Sequence, residues 1–191
     1  LYFEIMKHDP NHFDMDGIGQ DVFILSNGHI SPVLYSVLAR NGYFDVKELA
    51  TLRSINSRLQ GHPSPAKKVP GVRIDNGSLG QGLSVSIGAA LAKKQNNDTN
   101  TVFCLTGDGE LQEGQNWEAA MFAAVHKVDN LIVTVDYNGK QIDGPVDEVL
   151  TLGDLRAKFE AFGWEVMAMD GNNLEEVIAT ITEAKKLTGQ K

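Results

Sequence analysis

Two polar residues in this chain have the types and the setting of a site for a divalent metal ion. Asp108 lies in the sequence Gly107-Asp108-Gly109, and Asn138 follows 30 positions further along the chain. A carboxylate and an amide oxygen suit a hard cation, Mg²⁺ or in its place Ca²⁺ or Mn²⁺, and phosphate oxygens commonly complete the shell of Mg²⁺. The flanking glycines would let backbone approach a ligand closely. Asp108 alone is better explained as a helix cap, so the metal prediction depends on its pairing with Asn138.

The elements around these two residues predict that they meet at one edge of a sheet. The apolar runs 101–105 and 131–135 indicate buried strands, and Trp117, Met121 and Val125, spaced by four, indicate a helix between them. Two buried strands joined by a helix form a parallel βαβ unit. Because the carboxyl ends of such strands open onto a ligand crevice, we expect the aspartate and the asparagine on the same rim.

Strands and helices alternate along the whole chain, which indicates a single α/β domain. The predicted fold is a three-layer, doubly wound, mostly parallel sheet flanked by helices. Further strands are predicted over 21–25 and 164–169, and further helices over 1–7, 29–40, 45–54, 83–95, 154–162 and 174–187. Residues 60–76 and 147–153 are predicted loops. Asp45 with Glu48 predicts a capping box at the start of one helix.

Composition excludes several classes of protein. With 191 residues, 42% of them hydrophobic and 22% charged, the chain has the composition of one folded domain. Its formal net charge of −8 argues against a nucleic-acid partner. No apolar run approaches the ~20 residues that span a bilayer, and no signal peptide is visible. The single Cys104 is predicted to be a buried residue of a protein in a reducing compartment, so we expect a cytoplasmic location.

Several motifs together resemble one enzyme family. A Gly-Asp-Gly opening with an asparagine after the next strand is similar to the thiamine diphosphate motif. Residues from about 1 to 187 resemble the amino-terminal, diphosphate-binding domain of transketolase. The segments that carry the resemblance are GDGELQEGQNWEA (107–119), LSNGH (25–29), GHP (61–63) and GSLGQG (77–82). The resemblance implies a thiamine diphosphate-binding fold. It also implies an enzyme that transfers a two-carbon glycolaldehyde unit from a ketose phosphate to an aldose phosphate.

The resemblance also implies how the metal and the diphosphate would be held. The ion would take the carboxylate of Asp108, the side-chain oxygen of Asn138 and the backbone oxygen of Lys140, together with a water and two diphosphate oxygens. Backbone N–H groups at Gly107 and Gly109 would reach phosphate, and the helix that follows would offer its positive end.

Two histidines are implied to act in the site. His29 would donate to the diphosphate, and His62 would hydrogen-bond a substrate hydroxyl near the reacting carbon. Both follow a glycine and both match active-site histidines of transketolase. Without the resemblance, a lone histidine is more commonly a surface residue or a satisfied core residue.

Three further residues are implied to contact the cofactor. The carbonyl of Gly77 would accept a hydrogen bond from the aminopyrimidine ring, and Leu79 would pack against that ring. Ile142 matches an apolar residue near the cofactor, although an ordinary place in the core explains it equally well. Glu113 and Glu118 match glutamates at the subunit interface of transketolase dimers, although two acids near a helix start also suit the helix dipole.

The resemblance covers one half of a transketolase site. Residues 1–191 would form a single diphosphate-binding domain, truncated at its N-terminus, and no segment matches the pyrimidine-binding or C-terminal domain. We therefore expect a chain that is inactive alone and needs a partner subunit or domain with those parts. The working assembly would be a homodimer or a heterotetramer that acts on sugar phosphates.

Three alternatives remain at the level of sequence. Deoxyxylulose phosphate synthase and the α subunit of keto-acid dehydrogenases share the Gly-Asp-Gly motif. A non-catalytic, transketolase-like scaffold would keep the same residues without turnover. An NAD-binding domain is disfavoured, because no G-x-G-x-x-G motif follows the first predicted strand.

Overall fold

A computed structural model describes residues 1–189, and its centre is a sheet of three parallel strands. The strands are β1 (Val22–Leu25), β2 (Val102–Gly107) and β3 (Leu131–Asp136), in the order β1-β2-β3. Phe23 lies beside Phe103 in the first pair, and Gly107 lies beside Asp136 at the end of the second. The register therefore brings the carboxyl ends of β2 and β3 to the same level.

Within residues 1–189, six α-helices and a short hairpin accompany the sheet. The helices are α1 (Ser31–Arg40), α2 (Gln81–Gln95), α3 (Gly114–Val125), α4 (Val146–Leu150), α5 (Leu155–Ala161) and α6 (Leu174–Leu187). The two-residue strands β4 (Lys140–Gln141) and β5 (Gly144–Pro145) pair antiparallel. Short 3-10 turns lie at Pro10–His12, Gly28–Ile30, Val46–Thr51, Pro65–Lys67 and Gly109–Gln112.

Side chains alternate between the two faces of the sheet and build a core on each. Phe23 and Leu25 of β1 belong to a cluster that includes residues of α1 and α6. Val22 and Ile24 belong to a second cluster, with residues of α2 and α3. Because helices cover both faces, the molecule has the three layers expected from the sequence.

The amino end of the sheet is rich in ion pairs. A carboxylate lies a few residues before each of the three strands, and each carboxylate pairs with a lysine of a neighbouring helix. The pairs are Asp21 with Lys185 at 2.6 Å, Asp98 with Lys93 at 2.8 Å and Asp129 with Lys94 at 2.7 Å.

Two predictions for the second half of the chain are wrong. The predicted loop 147–153 contains most of α4, a helix too short to show periodicity in sequence. The predicted strand 164–169 forms no strand within residues 1–189. Side-chain hydrogen bonds hold this segment instead of strand pairing. Arg156 donates to the carbonyl of Val166 at 2.9 Å, and the Trp164 indole donates to the carbonyl of Ala120 at 3.0 Å.

Two predictions for the first half also differ from the structure. The helix predicted over 1–7 is absent: residues 2–5 form a turn, in which the amide of Ile5 donates to the carbonyl of Leu1 at 2.9 Å. The helix predicted over 45–54 is the 3-10 turn Val46–Thr51. Asp45 caps that turn as predicted, but the carboxylate of Glu48 binds Arg58, so the predicted capping box is absent.

The helix α3 buries a different face from the one its spacing suggested. Met121 and Val125 are 46% and 78% exposed. The buried positions are Asn116, Ala119, Ala120 and Ala123, because small residues let α3 pack closely on its neighbours.

Within residues 1–189 no helix combines the length and the apolar character that a membrane crossing requires.

Candidate cofactor site

Asp108 and the turn after β3 meet at the carboxyl end of the sheet, as predicted. The Asp108 side chain is buried, with Oδ1 accepting from the Gly109 amide at 2.8 Å and Oδ2 from the Gly139 amide at 2.6 Å. Gly139 directly follows Asn138, which is exposed. The Asn138 Oδ1 atom accepts from the amide of Lys140 at 2.8 Å. All three protein oxygens proposed as metal ligands therefore belong to two adjoining turns.

The glycines beside Asp108 differ in what surrounds them. A Cβ on Gly109 would lie 3.1 Å from Cβ of Gln141, so glycine allows β4 to pack against this turn. The Gly107 amide donates to Glu110 at 3.1 Å, and the Gly109 amide donates to Asp108. Both amides are thus donors within the chain, and a phosphate contact from either would replace such a bond.

The helix after these glycines is broken into two parts. The 3-10 turn Gly109–Gln112 comes first, and α3 begins at Gly114 after Glu113. Because a helix dipole acts over its first turn, the positive end of α3 lies further from Asp108 than the sequence suggested.

His29 lies at the end of β1 on the same rim. It is exposed in the 3-10 turn Gly28–Ile30. Asn76 supports this turn, because its Nδ2 atom donates to the carbonyl of Leu25 at 2.9 Å. A Cβ on Gly28 would lie only 2.6 Å from the Asn76 Oδ1 atom, so this position has no space for a side chain.

His62 and Gly77 are separated in sequence but lie close together in the structure. A Cβ on Gly77 would lie 3.1 Å from Cγ of His62, and Gly77 has a positive φ of 121°. The residue before His62 is held by Ser31, whose Oγ atom donates to the carbonyl of Gly61 at 2.7 Å. The backbone N–H of Asn76 also donates to the carbonyl of Pro63 at 3.3 Å. Asn76 therefore joins the segments of both histidines, a role that its residue type alone does not reveal.

The two apolar candidates are open to solvent. Leu79 is 37% exposed, and Ile142, in the turn between β4 and β5, is 100% exposed. The alternative that Ile142 belongs to the core is therefore wrong, and both side chains are available to a ligand or to another chain.

Comparison with known proteins decides the family. The model for "Transketolase, thiamine diphosphate binding domain" matches residues 1–191. The chain belongs to the transketolase family. It is 42% identical over 190 residues to the 6-deoxy-6-sulfo-D-fructose transketolase subunit SqwG of Clostridium sp. (strain MSTE9), covering 100% of this chain and 68% of that protein. The family resemblance inferred from the motifs is thus confirmed.

Two other relatives show how much of a transketolase this chain represents. It is 41% identical over 181 residues to an apulose-4-phosphate transketolase subunit of Actinobacillus succinogenes, covering 95% of this chain and 64% of that protein. The crystal structure of transketolase from Campylobacter jejuni superposes with a TM-score of 0.86 and 34% identity, covering 96% of this chain and 29% of that one. The chain spans about two thirds of the curated subunits it matches, and the predicted fold is confirmed.

The charges at the carboxyl end of this transketolase domain fit a cationic ligand. Asp108, Glu110 and Asp136 lie there, and within residues 1–189 none of the three forms an ion pair with lysine, arginine or histidine. Asp108 and Glu110 are only 1% and 2% exposed. Buried carboxylates normally have a charged or metallic partner. The two buried carboxylates therefore lack a cationic side chain among residues 1–189, and a bound cation would supply the missing charge.

One face of α3 in this transketolase domain is open and apolar. Glu113 and Glu118 are both exposed. Met121 and Phe122, each 46% exposed, and Val125 lie on the same helix. Glu118 therefore shares α3 with this apolar surface, and Glu113 occupies the N-cap position of the same helix.

Glu110 is a residue of this rim that the motifs do not single out. In sequence it is only one position of the GDGELQEG segment, yet it is buried and accepts hydrogen bonds from three different parts of the chain. Two of its donors are distant in sequence, so no local spacing could have indicated them.

Proposed function

We propose that this chain is the diphosphate- and Mg²⁺-binding half of a transketolase. The assembled enzyme would transfer a two-carbon glycolaldehyde unit from a ketose phosphate to an aldose phosphate with thiamine diphosphate. The observation that supports this most is the buried Asp108 carboxylate, which lies against the turn of Asn138 and has no cationic partner within residues 1–189. The family of the chain identifies the ligand that such a site would hold.

The protein's part in this function is to hold and orient. Asp108 and Asn138 would bind Mg²⁺ through their side chains and Lys140 would bind it through its carbonyl. When bound, thiamine diphosphate supplies the nucleophilic carbon that accepts and releases the two-carbon unit. Gly107 and Gly109 would keep the turn close to the diphosphate.

The exposed histidines and apolar residues would contact the cofactor and the sugar. His29 would donate to diphosphate oxygens, and His62 would hydrogen-bond the substrate hydroxyl and stabilise oxyanion character that develops beside it. The Gly77 carbonyl would accept from the aminopyrimidine ring. Leu79 and Ile142 would lose their exposure to water against the ring and its surroundings.

The site would be completed by a partner that carries the pyrimidine-binding and C-terminal domains. Two relatives of the chain are named as transketolase subunits, and the chain covers 68% and 64% of them. The open face of α3, with Glu113 and Glu118 beside it, is suited to contact that partner in a homodimer or heterotetramer.

Calorimetry tests the cofactor proposal. The chain, together with a transketolase subunit that carries the pyrimidine-binding and C-terminal domains, is titrated with thiamine diphosphate in Mg²⁺ and again in EDTA. We expect binding in Mg²⁺ only, and Asp108→Asn should weaken it by about 100-fold. Asp16→Asn, at an exposed aspartate in the loop before β1, is the matched control and should bind as the wild type does. No heat from the assembled wild-type protein would instead support a non-catalytic scaffold.

Turnover tests the need for a partner. A ketose phosphate donor and an aldose phosphate acceptor are supplied to the chain alone, to the partner alone and to the mixture. We expect product from the mixture only. Turnover by the chain alone would contradict the split site.

A further inference from the structure

We propose that Glu110 is a positioning residue that holds the glycine-rich loop and the Asp108 turn in the relative placement that the cofactor needs. This inference depends on the proposed function and adds a residue to which no cofactor contact is assigned. Glu110 would not touch the cofactor. It would act through Gly80 in the loop and Gly107 before the turn.

The Glu110 carboxylate is the centre of a buried hydrogen-bond network. The hydroxyl of Ser26, just past β1, donates to its Oε1 atom, and the amide of Gly80, just before α2, donates to the same atom at 2.8 Å. The amide of Gly107, at the end of β2, donates to Oε2 at 3.1 Å. Ser26 and Gly80 lie 84 and 30 positions away in sequence. One side chain thus joins three separate segments of the rim.

The network continues from Glu110 in both directions. The Gly82 amide donates to Oγ of Ser26 at 3.1 Å, so the first turn of α2 is tied to the end of β1. On the other side, Nδ2 of Asn116 donates to the Glu110 carbonyl at 2.7 Å and fixes its backbone. Asn116 is fully buried at 0% exposure. Glu110 therefore has little freedom to move.

The glycines of the loop are required by this close packing. A Cβ on Gly80 would lie 2.8 Å from Cβ of Glu113, and Gly80 has a positive φ of 87°. A Cβ on Gly82 would overlap Ser26. The loop that carries Gly77 and Leu79 is therefore anchored at its C-terminal end through the backbone amides of Gly80 and Gly82.

A carboxylate suits this position better than any other side chain. Three donors point at two oxygens, and each oxygen of a carboxylate has two acceptor sites. A glutamine has the same shape but only one oxygen, so its NH₂ group would face a donor. A buried donor that loses its acceptor is costly, and the loop would move to relieve it. Within residues 1–189 no lysine or arginine pairs with the Glu110 carboxylate. Burying its charge is therefore unfavourable, and a nearby cation would reduce that cost.

The first test measures the loop without any cofactor. Amide hydrogen exchange of Gly80, Gly82 and Gly107 is compared in wild type, Glu110→Gln and the exposed control Glu148→Gln. We expect exchange at these three amides to be at least about tenfold faster in Glu110→Gln only, while amides of the central sheet keep their wild-type rates. Equal acceleration throughout the chain would mean a general loss of stability and would overturn the proposal.

The second test measures the cofactor in the assembled enzyme. In Glu110→Gln we expect the Kd and the KM for thiamine diphosphate to rise by about 10-fold or more, with kcat at saturating cofactor within about twofold of wild type. A residue that only stabilises the fold would reduce the folded fraction and leave the Kd of that fraction unchanged. An unchanged Kd together with unchanged exchange at Gly80 and Gly107 would overturn the proposal.

A milder variant decides the matter if Glu110→Gln does not fold. Ser26→Ala removes one donor and leaves the carboxylate in place. We expect faster exchange at Gly82 and a rise of about threefold in the Kd, and wild-type values for both would overturn the proposal. If the wild-type assembly binds no thiamine diphosphate, the proposed function fails, and the exchange data alone still show whether Glu110 holds the loop.

Discussion

The two ends of the parallel sheet differ in how the negative charge of their carboxylates is balanced. At the amino end, the carboxylates of Asp21, Asp98 and Asp129 each pair with a lysine at 2.6–2.8 Å. At the carboxyl end, Asp108 and Glu110 accept only from backbone amides and a hydroxyl among residues 1–189. The first arrangement is electrically complete within the chain. In the second, both carboxylates have hydrogen-bond donors, but within residues 1–189 neither has a cationic side chain beside it.

This difference separates a structural role from a binding role. A carboxylate that has its own lysine contributes to folding whether or not a ligand is present. A buried carboxylate with neutral donors only is costly in the free chain, and the cost falls when a cation binds. The carboxyl end should therefore respond to Mg²⁺ and the amino end should not.

Removing a paired carboxylate should give the largest change in stability. Asp21 accepts from the amides of Thr101 and Lys7 at 2.7 and 2.8 Å, as well as from Lys185. Asparagine has one oxygen for these three donors, so Asp21→Asn should lower the free energy of unfolding by about 2–3 kcal/mol. Urea denaturation measures it, with Asp16→Asn as the matched control. A loss no larger than that of the control would contradict a structural role for the amino end.

The response to ligand should divide the two ends. Thiamine diphosphate with Mg²⁺ at about 100 times the Kd should stabilise the wild-type assembly by about 2.7 kcal/mol. Asp21→Asn should start from a lower midpoint and keep that shift, because its change lies at the other end of the sheet. Asp108→Asn should lose most of the shift, because a Kd about 100-fold higher leaves about 0.4 kcal/mol at the same ligand concentration. Thermal denaturation with and without ligand measures all three, and an equal shift in both variants would remove the distinction.

Acid should lower the free energy of unfolding through Asp98, by less than the Asp21→Asn substitution does. Burial alone would raise the pKa of Asp98, but hydrogen bonds from Lys93, Asn100 and Gly19 hold that pKa below its usual range. As the pH falls below about 4, the unfolded chain takes up the proton before the folded chain does, so stability is present above that pH and is lost below it.

The variant Asp98→Asn tests this acid dependence. It should be less stable than wild type at neutral pH, and its urea midpoint should fall less between about pH 5 and pH 2. Parallel pH profiles for the two proteins would show that another carboxyl group causes the acid loss.

The elements predicted best from sequence are those whose signal is local. The runs at β2 and β3 end at glycine or at polar residues, and their predicted ranges lie within two residues of the observed strands. The helix α6 has the predicted bounds. In contrast, α4 has five residues, of which only Val146 is buried, so its sequence shows no helical spacing of apolar residues.

Within the candidate site, position on the rim was predictable and the supporting network was not. The placement of Asp108 near the turn of Asn138 follows from the βαβ unit, because the carboxyl ends of parallel strands share one edge. Asn76 and Glu110 act through contacts with residues tens of positions away, and only folding shows those contacts. Side-chain exposure could not be derived either, as Ile142 shows.

The ammonium group of Lys185 connects the beginning and the end of the described fold. Besides its ion pair with Asp21, it donates to the carbonyl of Ile5 at 3.0 Å, so positions 5 and 185 lie side by side. A single side chain therefore fastens the first turns of the chain to helix α6 and to the carboxylate that precedes β1.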